Sequence, residues 1–226
     1  AGAASVNLVE SDARATINGM ASLTASDDVV VTGRAGGASY AIAGGGTLQK
    51  STGASSHGIA GALAFHEVEN LASASIADSD VDGANVDVNA SQSAPMLALA
   101  ISGSGAPQGF AGAGSVSLNF IDRSTTASVI NSNVDATGNV SVTGDDTGYL
   151  HSIGPGGSYG SKGAIGLSVS VNDVTRTTQA TVTDSDLDSG DTVTVSTNNA
   201  KGSNEGTIMS VAAAVAVAQK SMAGAG

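Results

Sequence analysis

The stretch "GAGSVSLNFIDRSTTASVINSNVDATGNVSVTG" (112–144) contains the complete pattern from which this chain is built. After its glycines comes an alternating segment, "SVSLNFID" (115–122), and then the triplet "ASV", which ends at Val129. An Asx-rich turn and a second alternating segment with Val140 and Val142 follow. Apolar residues at every second position, bounded by Gly, Asn, Asp and Ser, are typical of β-strands.

Three further copies of this pattern align on the same Ala-[Ser/Thr]-[Ile/Val] triplet. The other triplets end at Ile17, Ile76 and Val182, so the four copies are spaced 59, 53 and 53 residues apart, with a small insertion in the first unit. A fixed period of this kind predicts a repeat architecture. We predict one continuous domain over 1–226 whose repeat units are roughly 1–57, 58–111, 112–162 and 163–226.

Two all-β architectures account for short alternating strands without any helical periodicity. A β-sandwich needs antiparallel hairpins, for which a repeat of about fifty residues is short. A β-solenoid stacks equivalent strands in parallel, and small inward-facing Ala, Val and Ser residues suit its narrow interior. We therefore predict a parallel β-solenoid built from about four repeats, with roughly two coils in each repeat.

Composition and charge exclude several classes of partner. The formal net charge is −12, and the eight basic residues are scattered, which argues against nucleic-acid binding. The longest apolar run, "VAAAVAVA" (211–218), is too short to cross a bilayer, so we predict no membrane insertion. The chain has no cysteine, which rules out disulfides and thiolate metal sites.

Two acidic motifs, "DSDVDG" (78–83) and "DSDLDSG" (184–190), place carboxylates at every second position. Hard oxygen ligands in this spacing can converge on Ca²⁺, although an EF-type loop would need an acid where Asn89 and Val195 stand. Two interpretations stay open: a structural calcium ion, or Asx side chains that satisfy turn amides in water. The candidate metal ligands are Asp78, Asp80, Asp82, Asp184, Asp186 and Asp188.

The three histidines do not indicate a catalytic site. His66 lies in "HEVE", which lacks the second histidine of a zinc motif. His57 and His151 have no fixed spacing to Ser or Asp, and no nucleophile elbow is present. We predict no enzyme activity, no catalytic residues and no cofactor other than the structural calcium. In the other three repeats the position of His66 is occupied by Asn7, Asn119 and Asn172. An amide at this position favours a side-chain ladder or a turn-facing polar position.

The repeat as a whole, in 112–144 and again in 163–197, resembles the repeat region of large bacterial secreted adhesins. The closest likeness is to leukotoxin-like filamentous adhesins, a group similar to two-partner-secretion and autotransporter passengers. Segments 2–31 and 61–90 follow the pattern more loosely. The resemblance implies a right-handed parallel β-helix, secretion to the cell surface and a role as a long stalk or fibre. It implies no site residues.

These observations lead to an expected function. We expect a rod or stalk segment of an extracellular adhesin or surface filament, cut from a longer chain, on the bacterial cell surface or outside the cell. Its exposed strand edges predict self-association or continuation into further repeats, and its partners would be host or neighbouring-cell surfaces. The alternative is a glycan- or receptor-binding β-helix module that uses its inter-strand loops. The isolated aromatic residues suited to that role are Tyr40, Phe110, Tyr149 and Tyr159.

Overall fold

A computed structural model describes residues 1–50, 57–199, 208–219 and 223–225 of the chain. All the regular secondary structure in these residues is β-strand, and none of it is helix. The strands are β1 (Gly2–Asn18), β2 (Leu23–Thr24), β3 (Val29–Gly36), β4 (Ser39–Leu48), β5 (His57–Ala77), β6 (Asp80–Gly83), β7 (Val86–Ser93), β8 (Met96–Ala106), β9 (Phe110–Ile130), β10 (Asn133–Ala136), β11 (Val140–Thr147), β12 (Leu150–Gly160), β13 (Gly163–Thr183), β14 (Asp186–Ser189), β15 (Val193–Asn199), β16 (Ile208–Ala218) and β17 (Ala223–Ala225).

Every fourth strand joins the same sheet, and all the pairings are parallel. Sheet A has the order β1-β5-β9-β13-β17, and sheet B has the order β14-β10-β6-β2. Sheet C has the order β15-β11-β7-β3, and sheet D has the order β16-β12-β8-β4. The chain therefore winds through sheets A, B, C and D in turn and then starts the next coil. The predicted all-β parallel β-solenoid is confirmed.

One repeat makes one coil, so the prediction of two coils per repeat is wrong. His57 pairs with Phe110, and Phe110 with Gly163, which places neighbouring strands of sheet A 53 residues apart. Strand β9 runs through the predicted 115–122 segment and the triplet that follows it. The polar residues between them resemble a turn in the sequence, but Arg123 and Thr125 are buried because the interior is itself polar at this point.

The cross-section of a coil has two lobes, because sheets C and D both pack against the long strands of sheet A. The first, which we call the valine lobe, lies between sheets B and C and the second half of the sheet A strands. Its core is aliphatic and aligned from coil to coil, and it includes Ile76, Val81, Val88, Val129, Val134 and Val142. This lobe has the usual arrangement of a β-solenoid, with valines inside and polar side chains outside.

The second lobe, the alanine lobe, lies between sheet D and the first half of the sheet A strands. Its core consists of Ala41, Ala43, Ala62, Ala64 and Ala100. The two sheets approach each other so closely that a Cβ at Gly45 would collide with the backbone carbonyl of Gly61. Small residues therefore fill the narrowest part of the interior between these two sheets, as the sequence predicted for the whole solenoid.

Candidate functional site

The six predicted calcium ligands lie at the corner where each coil passes from sheet A to sheet B. Asp80 pairs with Asn133, and Asn133 pairs with Asp186, so these side chains form one column along the solenoid. Val81 and Val134 lie between the acidic columns and are fully buried. The aliphatic residue of each motif therefore points inward and its Asx residues point outward.

The first Asp of each motif has a conformational explanation. Asp78, Asn131 and Asp184 have φ values of 48°, 45° and 49°, and Gly19 occupies the same column with φ 67°. This left-handed region is tolerated by Gly, Asn and Asp and disfavoured for other residues. The turn therefore requires these residue types in every coil, with or without a metal ion.

The serine of each motif forms a hydrogen-bonded ladder that the sequence did not predict. The Ser79 hydroxyl donates to the Ala77 carbonyl at 2.7 Å, and the Ser132 hydroxyl does the same for Ile130. The Ser79 amide in turn donates to the Ser132 hydroxyl at 3.2 Å. The signal was present in the sequence, because a serine follows the left-handed residue in three of the four units, in "DSD", "NSN" and "DSD".

Aspartates of these motifs form hydrogen bonds with side chains of the neighbouring coils. The Asn131 amide donates to Asp78 Oδ1 at 2.7 Å, and the Thr24 hydroxyl donates to Asp82 Oδ2 at 3.1 Å. Within the described residues, no group of three or more His, Cys, Asp or Glu side chains converges closely enough to hold a metal ion. Calcium binding by these aspartates stays a prediction.

His66 points into the alanine lobe and is fully buried. Its Nε2 lies 2.6 Å from the Ser39 hydroxyl, while its Nδ1 has no hydrogen-bond partner among the described residues. Burial lowers the pKa of His66, so the neutral ring is favoured. In the same column Asn119 donates to Asn172 Oδ1 at 2.7 Å, which confirms the predicted amide ladder for these two coils and excludes a turn-facing position.

A buried ion pair lies in the interior between the two lobes. Arg123 Nη2 lies 2.5 Å from Asp146 Oδ1, and both side chains are at most 1% exposed. Arg176, one coil further on in the same column, places its Nε 3.9 Å from Asp146 Oδ2. The Nε of Arg123 also donates to Gln92 Oε1 at 3.1 Å. This pair was not predicted from the sequence.

Burial disfavours the charged form of both partners in this pair. It raises the pKa of Asp146, against the opposing effect of the Arg123 and Arg176 cations. It also lowers the pKa of Arg123 to about 10, against the attraction of Asp146. The pair therefore depends on mutual attraction to offset a large desolvation cost, and removing either partner leaves the other charge buried without its closest counter-ion.

The outer surface of the alanine lobe is apolar on both sides. In β9 the serines Ser115 and Ser117 are fully buried, whereas Phe120 is 40% exposed. Val6 and Ile59 on neighbouring strands of sheet A are 64% and 73% exposed. We name as the apolar strip the outward-facing residues of sheet A within 2–8, 59–65, 112–120 and 165–171. In this lobe the large aliphatic and aromatic side chains therefore lie outside, while alanines and hydroxyl groups lie inside.

The aromatic residues proposed for loop-based recognition lie mainly on strands. Tyr40 and Tyr159 point outward from sheet D, and Phe110 is the first residue of β9. Tyr149 alone lies between strands, where its ring centroid is 4.7 Å from that of His151. Their assignment to loops is therefore wrong for three of the four residues.

Comparisons with known proteins identify no relative of the chain. No protein-family model, no curated protein and no solved structure matches it. In the described ranges the chain has no helix that is long and apolar enough to span a membrane. Function must therefore be argued from the architecture and from the surfaces it presents.

Proposed function

We propose that this chain is a structural rod segment of an extracellular adhesin or surface filament and acts without enzyme activity. The observation that carries the proposal is the stacking of matched residues in four parallel sheets. Each added coil extends such a stack by one strand spacing, ~4.8 Å, without changing its cross-section. A molecule that grows in one direction with its repeat number suits a stalk or fibre.

The strand edges at the ends of the stack support self-association or continuation into further repeats. Among the described strands, β2, β3 and β4 each pair on one side only. An exposed edge of parallel strands presents backbone donors and acceptors to any strand that can pair with it. At the opposite end Val193 is 44% exposed, although Val140, its partner in the preceding coil, is buried.

The extracellular location rests on the resemblance of the repeat unit to secreted adhesin repeats. The formal charge of −12 agrees with a solvent-exposed, non-nucleic-acid-binding surface. The right-handed winding that this resemblance implies is part of the same proposal. Antibody labelling of intact source cells tests the location, since labelling only after lysis would contradict surface display.

The rod itself is tested by lengthening it. Twenty additional copies of residues 110–162, inserted after residue 162, should lengthen the stack by ~96 Å along its axis at constant cross-section. In solution X-ray scattering the axis then becomes longer than the ~70 Å width that a 21-residue strand gives the cross-section. An increase in the cross-sectional radius with little change in length would contradict the rod. This result does not depend on where the protein is located.

A second candidate function, recognition of a glycan or receptor, is favoured by the paired rings of Tyr149 and His151 at the turn between β11 and β12. Flat aromatic faces suit stacking against apolar faces of a ligand. Retention of the chain on a glycan array, lost in Tyr149→Ala and kept in Tyr159→Ala, would support this function. Equal retention of both variants would contradict it.

A further inference from the structure

The apolar strip has the size of a protein–protein contact. Nine residues of β9, 112–120, span ~30 Å, and four strands of sheet A span ~19 Å, so the strip covers ~550 Å². This is near the upper limit of the apolar patches that monomeric proteins expose. Two such strips packed face to face would bury ~1,100 Å² in total, which clears the ~1,000 Å² expected of a biological interface and lies among the smaller, weaker ones.

Along β9 the strip has a groove at one end and an exposed aromatic ring at the other. Gly112 and Gly114 leave a groove of ≈ 470 Å³ between Ile59 on one side and Ile165 on the other. A Cβ at Gly112 would meet no atom within 4 Å, so the floor of the groove is open. Eight residues further along the same strand, the Phe120 ring is exposed and packs against Phe65 with 5.8 Å between ring centroids.

We propose that the apolar strip is the lateral contact between two copies of this chain, related by a two-fold axis that runs parallel to the solenoid axis near Val116. Val116 lies midway between Gly112 and Phe120 on β9. The axis therefore places Phe120 of each copy over the groove at Gly112 of the other. A contact that is reciprocal in this way is closed and self-complementary.

The charges at the two ends of the strip favour the same axis. Glu67 and Asp173 flank Phe120 on the two neighbouring strands, and Glu69 and Asp122 follow beyond it, so this end of the strip is acidic. At the opposite end of the strip Lys50 follows β4 and Lys162 directly precedes β13, and both are exposed. The proposed axis brings the acidic end of one copy over the basic end of the other, whereas an axis along the strands would place acids over acids.

Two copies arranged in this way lie parallel, with matching coils at the same height. The contact can therefore repeat in every further coil that carries the strip. The inference deepens the proposed filament role and rests on it, because it names the lateral partner of the rod as a second copy.

Sedimentation velocity of the wild-type chain and two variants tests this contact. We expect a dimer at micromolar concentration, and at least about tenfold weaker association for Phe120→Ser and for Gly112→Phe, which fills the groove. Ile42→Ser, on the outer face of sheet D, is the matched control and should leave the dimer unchanged. A monomeric wild-type chain, or a dimer lost only in the control, would overturn the inference.

Disulfide trapping tests the axis, since the chain has no cysteine of its own. Under mild oxidation Val116→Cys should give a cross-linked dimer, because the residue lies near the axis and meets its own copy. Gly112→Cys should give none, since its opposite neighbour is Phe120. Cross-linking through residue 112 would instead indicate antiparallel rods and refute the proposed axis.

A flotation assay with phosphatidylcholine vesicles separates a second copy from lipid as the occupant of the strip. Flotation of a monomeric chain would overturn the inference. An unchanged β-type circular dichroism spectrum in each variant shows that the fold is kept. Loss of the dimer with a scattering profile that still lengthens with added coils would remove the lateral contact and leave the rod in place.

Discussion

Replacing Arg123 with Met should destabilise the protein by ~3 kcal/mol, because it leaves the buried Asp146 carboxylate without its closest counter-ion. Breaking a buried pair typically costs ~3–5 kcal/mol. The lower end of that range applies here because Arg176 remains 3.9 Å from the second carboxylate oxygen and is 23% exposed. The methionine keeps most of the side-chain volume, so little of the cost comes from a cavity.

Chemical denaturation followed by far-ultraviolet circular dichroism measures this loss as a shift of the midpoint. The double variant Arg123→Met with Asp146→Leu should recover most of the stability, because it removes both charges from the interior. The exposed pair of Arg14 with Asp12 is the matched control, and Arg14→Met should give no measurable shift. A shift below ~1 kcal/mol for Arg123→Met, or a double variant less stable than the single one, would refute the reasoning.

Three further predictions follow from the turns and the interior. The folded pKa of His66 lies below its ordinary value of 6.5, so the stability that His66 contributes is complete above pH 6.5 and is lost as the pH falls through the lowered value. In melting experiments at several pH values, His66→Asn should abolish this dependence of stability on pH, and His151→Gln should keep it. Asn131→Ala should cost ~1–2 kcal/mol in denaturation, and Asn131→Gly should cost little, because only alanine resists a positive φ; equal losses would contradict this account. If the aspartate columns bind calcium, the melting midpoint should be higher with calcium than with EDTA, and equal midpoints would leave backbone conformation as the reason for Asp78 and Asp184.

The period of the sequence predicted the parallel stacking of the repeats, because a column of like residues is visible wherever repeats align. The aliphatic columns of Val81 and Val134 and the amide column of Asn119 could be identified in this way. The number of coils per repeat could not, since periodicity does not reveal how many strands complete one turn. The polar residues around Arg123 added to the error, because a buried polar interior has the composition of a loop.

Strand alternation also left open which face of each strand points inward. In the valine lobe the aliphatic face is inside, as expected for a soluble protein. In the alanine lobe Ser115 and Ser117 are inside and Phe120 is outside. The reason is the close approach of sheets A and D, which favours small residues at the inward positions where the two backbones are nearest. The apolar strip arises from this three-dimensional constraint, and the interior ion pair from the meeting of sheets A and C between the lobes, so the sequence pattern could not identify either.

The one-coil repeat has a genetic consequence. Because a residue and its partner 53 positions later occupy equivalent places in successive turns, a tandem duplication or loss of one period preserves the cross-section wherever its breakpoints fall. Unequal recombination between such segments would change the molecule's length in whole turns. The interior arginines limit this process, since each duplicated arginine also needs a duplicated acid to neutralise it.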